Sequence, residues 1–223
     1  MQVDFQPLGQ SLRTVVEAGV ILAGVAGYYY FGSASPIPKC APTQKDAQNH
    51  SAQALERLSI ADLPSKVVHL AQDANVTNLR DLLFRTVPAE QLEGHYIHSL
   101  NIAGKFQGFE VYGHPNKSGT TSVIHFGDKL CGHPGIVHGG CISTVFDELF
   151  GWTMMWTSGK LGFTANLSVN FRKPLPAEIF GIVFTDFDKL EGRKLFMKAR
   201  LEDNEGTLYA DATALFILPK EQT

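Results

Sequence analysis

Between residues 132 and 156 the chain reads GHPGIVHGGCISTVFDELFGWTMMW, and no other stretch restricts the possible folds as much. Its first part is loop, punctuated by Gly132, Pro134 and Gly135 and closed by His138-Gly139-Gly140. From Cys141 onward the spacing predicts a helix. Cys141, Ile142, Val145, Phe146, Leu149, Trp152 and Trp156 fall within one broad apolar face. Gly140, Ser143, Thr144, Asp147, Glu148 and Gly151 fall opposite. A solvated helix face usually carries Lys, Arg and Gln, whereas this one holds small residues and two carboxylates. Such a helix is packed on one side and closely approached on the other.

A helix N-terminus presents unpaired N–H groups and a partial positive charge. Gly139 and Gly140 lack a Cβ, so an anion or a polarised carbonyl is able to come close to those donors. This suits an oxyanion. Asp147 lies seven residues beyond Gly140, roughly 10 Å along the axis. That is too far for both to serve one reacting carbonyl within a single chain. A second copy related by a two-fold axis would bring its own Asp147 to these glycines, giving a composite site at a dimer interface.

The string Gly135-Ile136-Val137-His138-Gly139-Gly140, with Asp147 nine residues after His138, resembles the HGG-type hotdog-fold acyl-CoA thioesterases of the PaaI-like and THEM (thioesterase superfamily member) groups. A second stretch, Thr164-Ala165-Asn166-Leu167-Ser168-Val169-Asn170-Phe171-Arg172-Lys173-Pro174-Leu175-Pro176, is similar to that family's strand after the central helix. The resemblance covers about residues 105–218. It implies a thioester hydrolase in which Asp147 acts as general base on water or as a nucleophile forming a transient anhydride. Gly139 N–H, with Gly140 beside it, would polarise the thioester carbonyl. His138 would hydrogen-bond the substrate or hold the loop. Thr164 matches a family threonine facing the pocket, where it would orient water or serve as an ordinary strand residue. Asn166, two residues on, should face the same side as a further pocket residue. Arg172 and Lys173 would bind the phosphates of coenzyme A or simply guard a sheet edge. Glu148, about 100° round the helix from Asp147, reads as a solvated or structural carboxylate. The resemblance implies no metal and no redox cofactor, coenzyme A being part of the substrate.

Three other chemistries fit less well. Cys131, His133, His138 and Cys141 do not have a common zinc spacing. Cys141 belongs to the apolar helix face, as a core thiol rather than an activated nucleophile. Ser143 sits within a helix and no G-x-S-x-G elbow is present, which argues against a hydrolase triad.

The rest of the 223 residues fits around this centre. A net charge of −3 and the lack of a basic cluster with interleaved aromatics give no support for a nucleic-acid partner. Three scattered cysteines argue against a disulfide framework. Val15–Phe31, with Glu17 as its one charge, three tyrosines at its end and recurrent Gly and Ala, is expected to be a transmembrane anchor. A proline-containing linker completes residues 1–50, and a lead-in of short helices is expected over 51–104. From 105 to 223 the expected strands are Phe106–Tyr112, Thr120–Phe126, Phe163–Phe171, Glu178–Phe187, Arg193–Leu201 and Leu208–Leu218. Two strands, one long helix, then four strands joined by short turns suggest an α+β fold in which an antiparallel sheet wraps one helix. That is the hotdog arrangement the resemblance implies. The expected protein is a membrane-tethered acyl-CoA thioesterase, active as a homodimer or dimer of dimers. Tethering suits medium to long acyl chains, and the resemblance suggests a mitochondrial membrane. The rival functions are a non-catalytic acyl-CoA-binding or scaffold protein and a hotdog dehydratase.

Overall fold

The computed structural model describes residues 58–86 and 96–220, so the candidate membrane segment 15–31 and the linker after it lie outside the described residues. Chain order begins with helix α1 (Ser65–Gln72), the two-residue strand β1 (Thr77–Asn78) and helices α2 (Leu79–Thr86) and α3 (Tyr96–Ser99). Strands β2 (Phe106–Gly113) and β3 (Gly119–Phe126) follow, then a short ladder of β4 (Cys131–His133) and β5 (Ile136–Val137). The long helix α4 (Gly139–Ser158) leads into β6 (Phe163–Phe171), β7 (Ile179–Glu191), β8 (Lys194–Glu202) and β9 (Leu208–Ile217). All six expected strands are present, with boundaries shifted by a few residues.

Helix α4 starts at Gly139, two residues earlier than the spacing predicts. The reason is His138, whose extended backbone (φ −65°, ψ 132°) and Nδ1 acceptor form an N-cap that draws both glycines into the first turn. The other end closes on Gly159, whose φ of 66° is the left-handed conformation that glycine adopts without strain. The two-faced pattern holds over the first half of the helix. From Trp152 to Trp156 every residue is buried, because this half sinks beneath the sheet. There Thr153 Oγ1 meets Thr120 Oγ1 at 2.7 Å and also donates to the Leu149 carbonyl at 2.8 Å, so its polar atom is satisfied inside the core.

The sheet has seven strands in the order β1-β2-β3-β7-β8-β9-β6, antiparallel at each pairing. Its inner face wraps α4, and Phe146, Leu149 and Phe150 of the helix join Ile124, Val183 and Phe216 of the sheet in one core. Each such side chain contributes about 1.5–3 kcal/mol by leaving water. This is the hotdog-like α+β architecture.

The lead-in belongs to the same fold. Thr77–Asn78 adds a strand beside β2, and Leu63 and Val67 pack on Tyr112, Val123 and Ile182 of the sheet's outer face. Leu58 fills the space a side chain would take at Gly108. Ser65 Oγ and Lys66 N both donate to Asn204 Oδ1, at 3.1 and 3.2 Å, which pins the start of α1 to the β8–β9 turn. As a result β2 and β3 are covered on both faces. Strand β6 ends the sheet with β9 as its one neighbour among the described residues. Most of β6 is exposed.

Candidate active site

The loop before α4 is held by backbone hydrogen bonds. His138 N–H donates to the Leu130 carbonyl at 2.8 Å, and Val137 N–H donates to the Leu175 carbonyl at 2.9 Å. Gly140 N–H donates to His138 Nδ1 at 2.9 Å. That bond makes Nδ1 an acceptor and leaves the ring N–H on Nε2. His138 therefore holds the loop, one of the two roles open from sequence, and it also occupies one of the two glycine donors. Gly139 N–H donates to nothing among the described residues. It is an unpaired donor at the helix N-terminus, of the kind able to bind an anion.

The space around the glycines is also limited by this chain's own side chains. A Cβ at Gly140 would lie 2.9 Å from His138 Nδ1, and one at Gly139 would lie 3.2 Å from Phe171 Cζ. Their Cβ directions meet this chain's own side chains. Gly132 makes room in the same way, since a Cβ there would lie 2.7 Å from His138 Cδ2.

Eight residues further along α4, Asp147 Oδ1 accepts a hydrogen bond of 2.8 Å from Thr164 Oγ1 at the start of β6. Helix and strand thus touch at two places. Gly139 lies against Phe171 at the far end of β6, and Asp147 lies against Thr164 at the near end. The helix separation of these places is about 12 Å. Asp147, Thr164, Gly139 and His138 all line the exposed edge of the sheet.

Asn166 does not share the side of Thr164. The ladder with β9 slips by one residue between them, pairing Thr164 with Phe216 but Asn166 with Leu215. Phe216 is buried in the core and Leu215 faces the other way. Ala165 is the extra residue of a β-bulge, which reverses the alternation expected from a regular strand. Leu167 and Val169 continue on the inner side, packed against the core, while Asn166 sits on the outer side.

Arg172 is engaged within the chain. Its Nε donates to Asp211 Oδ2, and Asn170 Nδ2 donates to Asp211 Oδ1 at 2.8 Å. These bonds hold the Asp211 carboxyl below its usual range. Lys173 is exposed beside it. Cys141 is half-buried, and its thiol is pushed up by burial and further by Cys131. It donates weakly to the Leu130 carbonyl at 3.8 Å, which fits a packed thiol.

Glu148 takes the structural of the two readings open from sequence, half-buried and engaged within the helix. Its Oε1 accepts from Trp152 Nε1 at 2.9 Å, one turn along the helix. Loss of hydration is the largest influence on the carboxyl and raises it to about 7, with the nearby Asp147 charge adding to the rise. The Trp152 bond opposes this by favouring the charged form. The i, i+4 spacing of Glu148 and Trp152 was readable from sequence. The depth of the carboxylate was not.

Residues 134–210 match the thioesterase superfamily. The matched residues include His138, Gly139, Asp147 and Thr164. The acyl-coenzyme A thioesterase THEM4 of Mus musculus is 41% identical over 113 residues, covering 49% of this chain and 48% of that protein. THEM5 of Homo sapiens is 30% identical over 115 residues, covering 50% and 46%. A yeast relative from Saccharomyces cerevisiae, the uncharacterized mitochondrial membrane protein FMP10, is 33% identical over 99 residues, covering 43% and 41%. The chain spans about half the length of the curated relatives it matches. A solved thioesterase superfamily protein aligns with a TM-score of 0.45 at 25% identity, covering 49% of this chain and 53% of that one. Among the described residues no helix is long and apolar enough to cross a membrane.

Proposed function

We propose that this chain hydrolyses acyl-CoA thioesters to a free acid and coenzyme A, at two composite sites of a homodimer. The observation that carries this is the Thr164–Asp147 hydrogen bond of 2.8 Å at one end of a free strand edge. The other end of the same strand rests against Gly139. If β6 pairs antiparallel with its copy across a two-fold axis, its Thr164 end meets the copy's Phe171 end. Asp147 of one chain then lies near Gly139 of the other. Exposed Phe163 and Phe171, at 76% and 54%, would be covered by that pairing.

In this site Asp147 takes a proton from water while the water oxygen bonds to the thioester carbon. The carbonyl oxygen gains negative charge beside Gly139 N–H. The C–S bond then breaks, and the departing thiolate receives the proton from Asp147. In the alternative route the Asp147 carboxylate attacks the thioester carbon, and the C–S bond breaks with coenzyme A leaving as thiolate. Water hydrolyses the resulting anhydride to the free acid, regenerating Asp147 while a water-derived proton goes to the thiolate. Thr164 orients the carboxylate in either case. Lys173 is the freer cation for a coenzyme A phosphate, because Arg172 is held by Asp211. The apolar stretch Val15–Phe31 and a relative named as a mitochondrial membrane protein support a tethered enzyme of that compartment acting on medium to long acyl chains.

Thiol release from a ladder of acyl-CoA chain lengths, using the full chain beside Asp147→Asn, tests the activity. We expect release from the wild type and a loss on the order of 100-fold or more in the variant. Full activity in Asp147→Asn would remove the catalytic assignment. Binding of acyl-CoA without release at any length would replace hydrolysis with a carrier role.

A further inference from the structure

We infer that Gly151 sets which acyl chains the proposed site accepts, by leaving room for the chain one turn beyond Asp147. The inference rests on the thioesterase reading above. Every other described glycine has a reason within this chain. Each either adopts a positive φ or would place a Cβ 3.2 Å or less from this chain's own atoms. Gly151 does neither. Its backbone is ordinary helix inside α4, and a Cβ there would meet nothing within 4 Å. Glycine is the poorest helix former after proline, so alanine would suit the same position better. The fold of one chain has no use for the missing side chain, although the position is half-buried.

Residues four apart on a helix are neighbours, which puts Gly151 beside Asp147. In the two-fold arrangement Asp147 stands near Gly139 of the copy, where the copy's helix begins. One turn further along α4, about 6 Å, the copy's helix has ended and does not occupy the space at Gly151. A thioester carbonyl held between Asp147 and the copy's Gly139 sends one of its two arms into that space. The surroundings there are apolar. α4 carries no charged residue after Glu148. Met154 and Met155, three and four residues beyond Gly151, are 2% and 5% exposed, and Leu161 is half-buried where the chain turns back toward β6. Such surroundings suit a hydrocarbon chain, whereas the phosphates of coenzyme A would lose their hydration.

The test varies the space and the chain together. Thiol release is measured from acetyl- to palmitoyl-CoA with wild type, Gly151→Ala and Gly151→Leu. In Gly151→Leu, kcat/KM should fall about tenfold or more for the longest chains and stay within about twofold for the shortest. Gly151→Ala should shift the profile less and raise the urea midpoint, since it improves the helix. An unchanged profile, or an equal fall at every length, would overturn the inference. Equal loss would mean that the residue serves the fold, the dimer or the coenzyme A arm. Equilibrium binding of acyl-CoA thioether analogues, which cannot be hydrolysed, gives a readout without turnover and should show the same loss confined to long chains. If wild type releases no thiol but this binding profile shifts, the chain site stands and hydrolysis fails. If wild type hydrolyses and neither profile shifts, hydrolysis stands and the role of Gly151 fails.

Discussion

Strands β2 and β6 belong to one sheet and live in opposite environments. Both faces of β2 are covered, by α4 inside and by the lead-in helices outside, and seven of its eight residues are buried. None of the nine residues of β6 is fully buried, and its outer edge is unpaired among the described residues. The candidate site lies where α4 meets the bare strand. The difference teaches that the described residues cover one end of the sheet on both faces and leave the other end open. An edge strand with exposed phenylalanines is an aggregation hazard when it stays open.

The contrast gives three substitutions in falling order of effect. At the covered end, Arg80 and Glu110 are 2% and 3% exposed and lie 3.5 Å apart. Arg80→Met leaves a carboxylate without its cation in the interior and should cost about 3–5 kcal/mol. Urea unfolding would measure this, and the rate per folded molecule should be unchanged. At the bare end, Ser168→Lys sets two like charges near the proposed two-fold axis. Folding stability should stay within about 0.5 kcal/mol of wild type. Sedimentation velocity should show monomers, and thiol release should fall by about 100-fold, or about 2.7 kcal/mol. A fully active monomer would sink the composite site. Smallest is Thr164→Val, which removes one hydrogen bond to a charged group. It should lower kcat by about tenfold, worth about 1.4 kcal/mol, with the dimer intact.

What could be read in advance followed from periodicity. Alternating residues mark the six long strands because each has a core side, and the apolar stripe of α4 marks the helix they enclose. Helix amphipathicity does not say which surface a helix covers, so the place of α1 on the outer face was not legible. The start of α4 was hidden because two glycines favour loop, and the gain from the His138 cap outweighs that preference. The bulge at Ala165 leaves no compositional trace, yet it decides that Thr164 reaches Asp147 and Asn166 does not. Site residues near one another in sequence were readable for type and spacing. Those joined by strand register, such as Arg172 and Asp211, required the sheet.

Leu58 and α1 lie against the outer face, while Asp147 and Gly139 lie along the edge strand and the helix inside. The chain therefore enters this fold from behind. The described lead-in and the mouth of the candidate site lie on different sides of the sheet, and neither crowds the other.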